Sequence, residues 1–86
     1  MKLHELKIKE EFYRDIILGL KTFEIRKNDR DYQLKDLIRF RIVFVNGDIS
    51  EKDDLFKITY ILRDAEQYGL QEGYCILGIK KVKVEE

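Results

Sequence analysis

The period of the hydrophobic pattern changes several times along the chain, and each change predicts an element. From Leu3 to Lys9 apolar and polar residues alternate. This predicts a strand with His4, Leu6 and Ile8 on the core face and Leu3, Glu5, Lys7 and Lys9 opposite. Residues 10–18 switch to a helical period: Phe12, Ile16 and Leu20 fall four apart, with Tyr13 and Ile17 beside them. Glu10 and Glu11 suit the dipole of a first helical turn, and Gly19 supplies a left-handed stop. The octet Gly19 to Arg26 then reads Gly-Leu-Lys-Thr-Phe-Glu-Ile-Arg. As a strand it places Phe23 and Ile25 toward the core and Thr22, Glu24 and Arg26 on the other face, with Lys21 at its entrance. Spacing alone equally describes a charged face lying in water.

Residues 27–36 are polar and rich in turn formers, which predicts a loop. Leu37 to Val45 alternates again, with Ile38, Phe40, Ile42 and Phe44 facing inward. Asn46-Gly47 signals a two-residue turn in which both residues take positive φ. Leu55 to Leu62 predicts a third long strand, and 73–84 one or two more. Residues 64–69 have room for a helical turn but read better as a loop. Five or six strands with one early helix make an α+β, mostly β fold, a single domain over residues 1–86. Such a sheet hides its edges by curling into a small barrel, with the N-terminal helix capping one end.

At 86 residues there is room for one core only. A chain this short buries roughly 60–65% of its unfolded surface, so modest stability is expected. The charged fraction is 40%, well above the usual quarter, yet net charge is zero. The balance is uneven: residues 1–43 carry a net +3 and residues 44–86 a net −3. Residues 21–41 hold 7 basic against 4 acidic side chains, a local patch suited to a localised anionic ligand. Cys75 is the single cysteine and lies in an apolar run, so a buried thiol and a reducing, cytoplasmic setting are expected. No apolar stretch reaches 18 residues, and the charged start lacks a signal peptide's apolar core, so no membrane partner is expected. One histidine and one cysteine leave too few soft ligands for structural zinc, and nothing calls for a metal or a cofactor.

The octet fits Gly-x-Lys-x-x-Glu-x-Arg, and with it the sequence resembles the ASCH domains of the PUA-like superfamily, small β-barrels related to RNA-binding modules. It is most similar to a short phage and bacterial branch of unknown function. That branch opens with His-Glu-Leu-Lys-Ile, matched by His4 to Ile8. It continues with Lys-Thr-Phe-Glu-Ile-Arg-Lys-Asn-Asp-Arg-Asp, matched by Lys21 to Asp31, and closes with Gly-Tyr-x-x-Leu-Gly-Ile, matched by Gly73 to Ile79. The chain departs from it at Lys35-Asp36, where the branch has Gly-Asp. The resemblance implies a cleft between barrel and helix that receives RNA or a nucleoside-like ligand. Within it Lys21, Arg26, Lys27 and Arg30 would donate to phosphate. Glu24 would accept from a base or sugar, and Asn28 would pair with a base edge. Tyr32 could stack on a base or fill the core, and Lys7 could border the cleft.

Two other classes stay open. One ASCH-type relative deacylates N4-acetylcytidine with a lysine, a threonine and a distant glutamate. Lys21 matches that lysine, but Glu24 stands where the threonine would fall, and Glu66 and Glu72 are candidates for the distant glutamate by position only. If the chain is an amidohydrolase, Lys21 and Glu24 are its catalytic pair, although an adjacent carboxylate favours the charged ammonium and so opposes base chemistry. Otherwise no catalytic residue is assigned. The third class is a small phage-type adaptor that binds a host protein through the basic patch. His4 shares a face with Leu6 and Ile8 and reads as a buried structural histidine.

Overall fold

The computed structural model describes residues 1–83. Its elements run β1 (Leu3–Lys9), α1 (Glu10–Ile17), β2 (Phe23–Lys27), β3 (Leu37–Val43), β4 (Ile49–Leu62), a 3₁₀ turn (Glu66–Tyr68) and β5 (Tyr74–Lys81). The five strands form one sheet in the order β1-β3-β4-β5-β2, with β1 parallel to β3 and every other pair antiparallel. The fold is therefore small, α+β and mostly β, a curled half-barrel. It has five strands where five or six were expected, and residues 84–86 of the expected closing segment lie outside the described residues. Among the described residues no helix is long and apolar enough to cross a membrane.

β4 produces the curl. Its first part pairs with β3 and its second with β5, and the register slips between Arg39 and Arg41 on one side and between Ile58 and Tyr60 on the other. Such irregularities bend a strand and increase its twist. The second slip favours a glycine, because a Cβ on Gly78 would lie 3.2 Å from both Thr59 Oγ1 and Tyr60 Cβ, a tight fit. The concave face holds the core, in which Leu6, Ile38, Phe40, Phe56 and Leu77 are at most 2% exposed. The alternations of β1 and β3 are thus oriented as the sequence predicts. Cys75 is fully buried among them, and burial pushes its thiol up from the usual value.

α1 packs Tyr13 and Ile16 against β1 and β3, with the Tyr13 ring edge-on to Phe40 at 6.0 Å. The Tyr13 phenol is pushed up to about 12, first by burial and then by Asp54, whose Oδ2 accepts its hydrogen bond at 3.1 Å. The inward stripe differs from the predicted one: Phe12, Ile17 and Leu20 are 41%, 44% and 75% exposed. A helix of eight residues presents only two positions to the sheet, and Leu20 lies beyond its end. Gly19 stops the helix as expected, with φ 78° and its N–H donating to Ile16 O. The Asn46-Gly47 turn takes another form. Gly47 alone has positive φ, its N–H donates to Phe44 O, and Phe44 N–H donates to Asp48 O. This is a three-residue hairpin loop with a glycine bulge. β4 also begins at Ile49, six residues earlier than its apolar pattern indicates.

The loop before β3 is tied down by a buried carboxylate. Asp36 accepts from Lys2 N–H at 3.0 Å, His4 Nε2 at 2.8 Å and Gln33 N–H at 3.1 Å. Its own carbonyl accepts from Ile58 N–H. His4 is thus the structural histidine expected, and its ring lies 4.8 Å from that of Tyr32, which is 1% exposed. Tyr32 belongs to the core and offers no stacking face. Burial alone would raise the Asp36 carboxyl, but the donors from Lys2, His4 and Gln33 outweigh it and hold the group below its usual value. Beside it, Lys35 takes φ 74°, a left-handed conformation that suits the glycine of the branch pattern.

Two outcomes follow. Because the Asp36 carboxyl is lowered in the fold, its contribution is complete above the unfolded aspartate value and disappears as pH falls through the lower folded value. The melting midpoint should therefore drop in acid, and Asp36→Asn should start lower at neutral pH and lose less on acidification; equal acid slopes would show that Asp36 does not contribute. Lys35→Gly relieves a left-handed side chain and should stabilise by about 0.5–1 kcal/mol in urea unfolding. A destabilised Lys35→Gly would mean that the lysine side chain holds the loop.

Candidate functional site

The two edge strands, β1 and β2, curl toward each other without forming a ladder. Side chains bridge the seam instead. Arg26 Nη1 donates to Lys7 O at 2.7 Å, and Arg30 Nη1 donates to Glu5 O at 3.0 Å. At the end of this seam nearest α1 lies a pocket of about 450 Å³, lined by Lys7, Ile8 and Lys9 of β1, Phe12 of α1, Lys21, and Phe23 to Arg26 of β2.

β2 carries the main correction to the sequence reading. Its alternation is real but faces the other way: Glu24 is 5% exposed, while Phe23 and Ile25 are 43% and 50% exposed. The physical reason is the edge position. On its inward face β2 carries a carboxylate between two cations, beside the buried Leu77 of β5, while the two apolar residues wall the pocket. Lys21 Nζ pairs with Glu24 Oε1 and donates to Phe23 O at 2.7 Å. It also lies 5.5 Å from the Phe12 ring centroid and 5.0 Å from that of Phe23, within cation–π range. Arg26 Nη1 lies 3.6 Å from Glu24 Oε2. The Lys21 ammonium is thus held by a carboxylate, a carbonyl and two ring faces.

Lys21, Glu24 and Arg26 converge on one concave site. Lys27 and Arg30 line a second, shallower depression of about 290 Å³ that shares Ile25 and Arg26 with the pocket. Asn28 lines neither cavity. Its N–H donates to Gly73 O, and its Oδ1 accepts from Arg63 Nε at 3.4 Å, so it joins two loops. Arg63, which the sequence did not single out, also donates to Tyr32 O. Lys7 borders the pocket as expected. Lys9 joins it and could have been found, because it shares the parity of Lys7 on β1. Phe12 and Phe23 were assigned to the core and stand at the pocket wall. Glu66 and Glu72 are exposed and line no part of the pocket. Among the described residues, no three His, Cys, Asp or Glu side chains gather as metal ligands would.

The buried pair has an energetic signature. Glu24→Gln leaves Lys21 without its carboxylate, and Lys21→Met leaves Glu24 with Arg26 as its one remaining cation; each should destabilise by about 1–3 kcal/mol. The double substitution should cost clearly less than the sum in urea unfolding. Strict additivity would show that the two side chains do not hold one another.

Comparison with known proteins adds the following. No curated protein matches the sequence. The crystal structure of hypothetical protein PH0355 has a similar fold, with a TM-score of 0.60 and 19% identity over 95% of this chain and 100% of that one. Residues 3–79 match the family model for a domain of unknown function, DUF3850. With nearly all of the sheet and the whole seam inside that match, the chain belongs to the DUF3850 family.

Proposed function

We propose that this half-barrel is PUA-like and binds RNA or a modified nucleoside in the pocket between β1, β2 and α1. The observation that carries the reading is the composition of the pocket wall. Apolar surface from Ile8, Phe12, Phe23 and Ile25 lies beside Lys7, Lys9 and Arg26, around the buried carboxylate of Glu24. Among the described residues Lys7 and Lys9 take part in no ion pair. A base has an apolar face and polar edges and is attached to an anionic phosphate, so it complements such a wall. Arg26 spends one N–H on Lys7 O and has others for a phosphate oxygen.

The amidohydrolase reading draws support from Lys21 and Glu24, which meet inside a pocket of substrate size. Against it, the ammonium is already engaged by two acceptors and two rings, and the pocket holds no second carboxylate among its lining residues. Binding is the better supported function.

Calorimetric titration with short single-stranded RNA and with N4-acetylcytidine tests the proposal. Binding of at least one is expected, weakened roughly tenfold or more in Arg26→Lys, which keeps the charge but loses the fork. Arg26→Ala would also break the seam contact, so its loss of binding would be less informative. Failure of both ligands to bind would overturn the assignment. Chromatography of N4-acetylcytidine after incubation should show no cytidine; its appearance would favour the hydrolase.

A further inference from the structure

Arg26 and Arg30 do more than close the seam. They are anchored on Lys7 O and Glu5 O, two carbonyls of the same edge of β1 separated by two residues. Strand geometry puts those anchors about 6.7 Å apart, both pointing out of the sheet on one side. Each guanidinium has five N–H donors and spends one on its carbonyl; Arg26 also lies 3.6 Å from the Glu24 carboxylate, and both keep donors for an oxyanion. The strand edge thus acts as a ruler that spaces two cationic forks. The spacing of the anchors is comparable to the distance between successive phosphates of an extended single strand.

The cavities follow the same axis. The 450 Å³ pocket and the 290 Å³ depression adjoin at Ile25 and Arg26, and Arg30 and Lys27 lie in the second one. Among the described residues neither Arg30 nor Lys27 is in an ion pair, and Asp29 is the one carboxylate lining the depression. Tyr74 adds an aromatic, half-buried side chain to its wall.

We infer that the ligand is a single-stranded oligonucleotide read across two consecutive phosphates. Arg26 takes one phosphate and Arg30 the next, with one base in the pocket beside α1 and its neighbour in the depression beside Tyr74. This rests on the binding site proposed above and narrows its ligand from any nucleoside to a chain of at least two nucleotides.

Fluorescence anisotropy with labelled hexauridylate, competed by uridine 5′-monophosphate, tests it. Hexathymidylate run in parallel separates RNA from DNA, and the same behaviour is expected of whichever strand binds. The hexamer should bind more than tenfold tighter than the monophosphate. Arg30→Gln should weaken the hexamer roughly tenfold and reduce the log–log salt slope by about 0.7, the value of one phosphate contact on a single strand. Arg30→Lys should keep the slope while losing affinity, and serves also if Arg30→Gln melts early. If Arg30→Gln folds and leaves affinity and slope unchanged while Arg26→Lys weakens binding, the two-phosphate register is overturned and the pocket stands. If neither strand nor the monophosphate binds, both are overturned.

Discussion

The sheet ends in two strands that approach each other and do not pair, and the rest of the molecule is arranged around that gap. A ladder between β1 and β2 would have closed the barrel and sealed the carbonyls of Glu5 and Lys7 against solvent. Arginine side chains occupy those carbonyls instead. An unpaired edge invites another strand, and covering it with charge is one way to prevent such pairing. Here the side chains that cover the edge of β1 also line the cavities beside it, Arg26 both the pocket and the depression and Arg30 the depression. Under the function proposed above, stability and ligand recognition would meet in the same residues, above all in Arg26.

Much of the fold is legible from periodicity because most strands have one wet and one dry face. β1 and β3 show this directly, and their buried residues are those that alternation selects. β2 shows where the rule fails. Alternation gives the parity of a strand but not which parity is inside, and the preference for apolar residues inside decides wrongly when the inside is a seam. Glu24 has two cationic neighbours within two or three positions in sequence, Lys21 and Arg26. That local supply of counter-charge is the signal that a carboxylate could be buried here. The early start of β4 is hidden for a different reason: its first residues are largely polar and hold their place by backbone pairing to β3.

The departure at Lys35 and the glycine at position 78 illustrate two unlike demands on the backbone. At position 35 the demand is conformational, a left-handed turn, and a lysine meets it at some strain. At position 78 the demand is steric, a bulge where a Cβ would be crowded at 3.2 Å by Thr59 and Tyr60. Sequence patterns record both as glycine, and only the structure distinguishes a position that tolerates substitution from one that resists it.

The order of the strands has a consequence for how the molecule comes to be made. β2 is synthesised early, yet its one ladder partner is β5, the last strand of the chain. Until residues 74–81 leave the ribosome, the segment carrying Phe23, Glu24 and Ile25 has nothing to pair with. Pairings that span most of the sequence are slow to form, because loop-closure entropy must be met before contacts compensate it. The nascent chain thus carries its charged seam residues before the sheet that positions them, and their charge opposes premature association of that strand with other chains. The β2 wall of the pocket is therefore held in place by a ladder with residues distant in sequence, Tyr74 to Gly78.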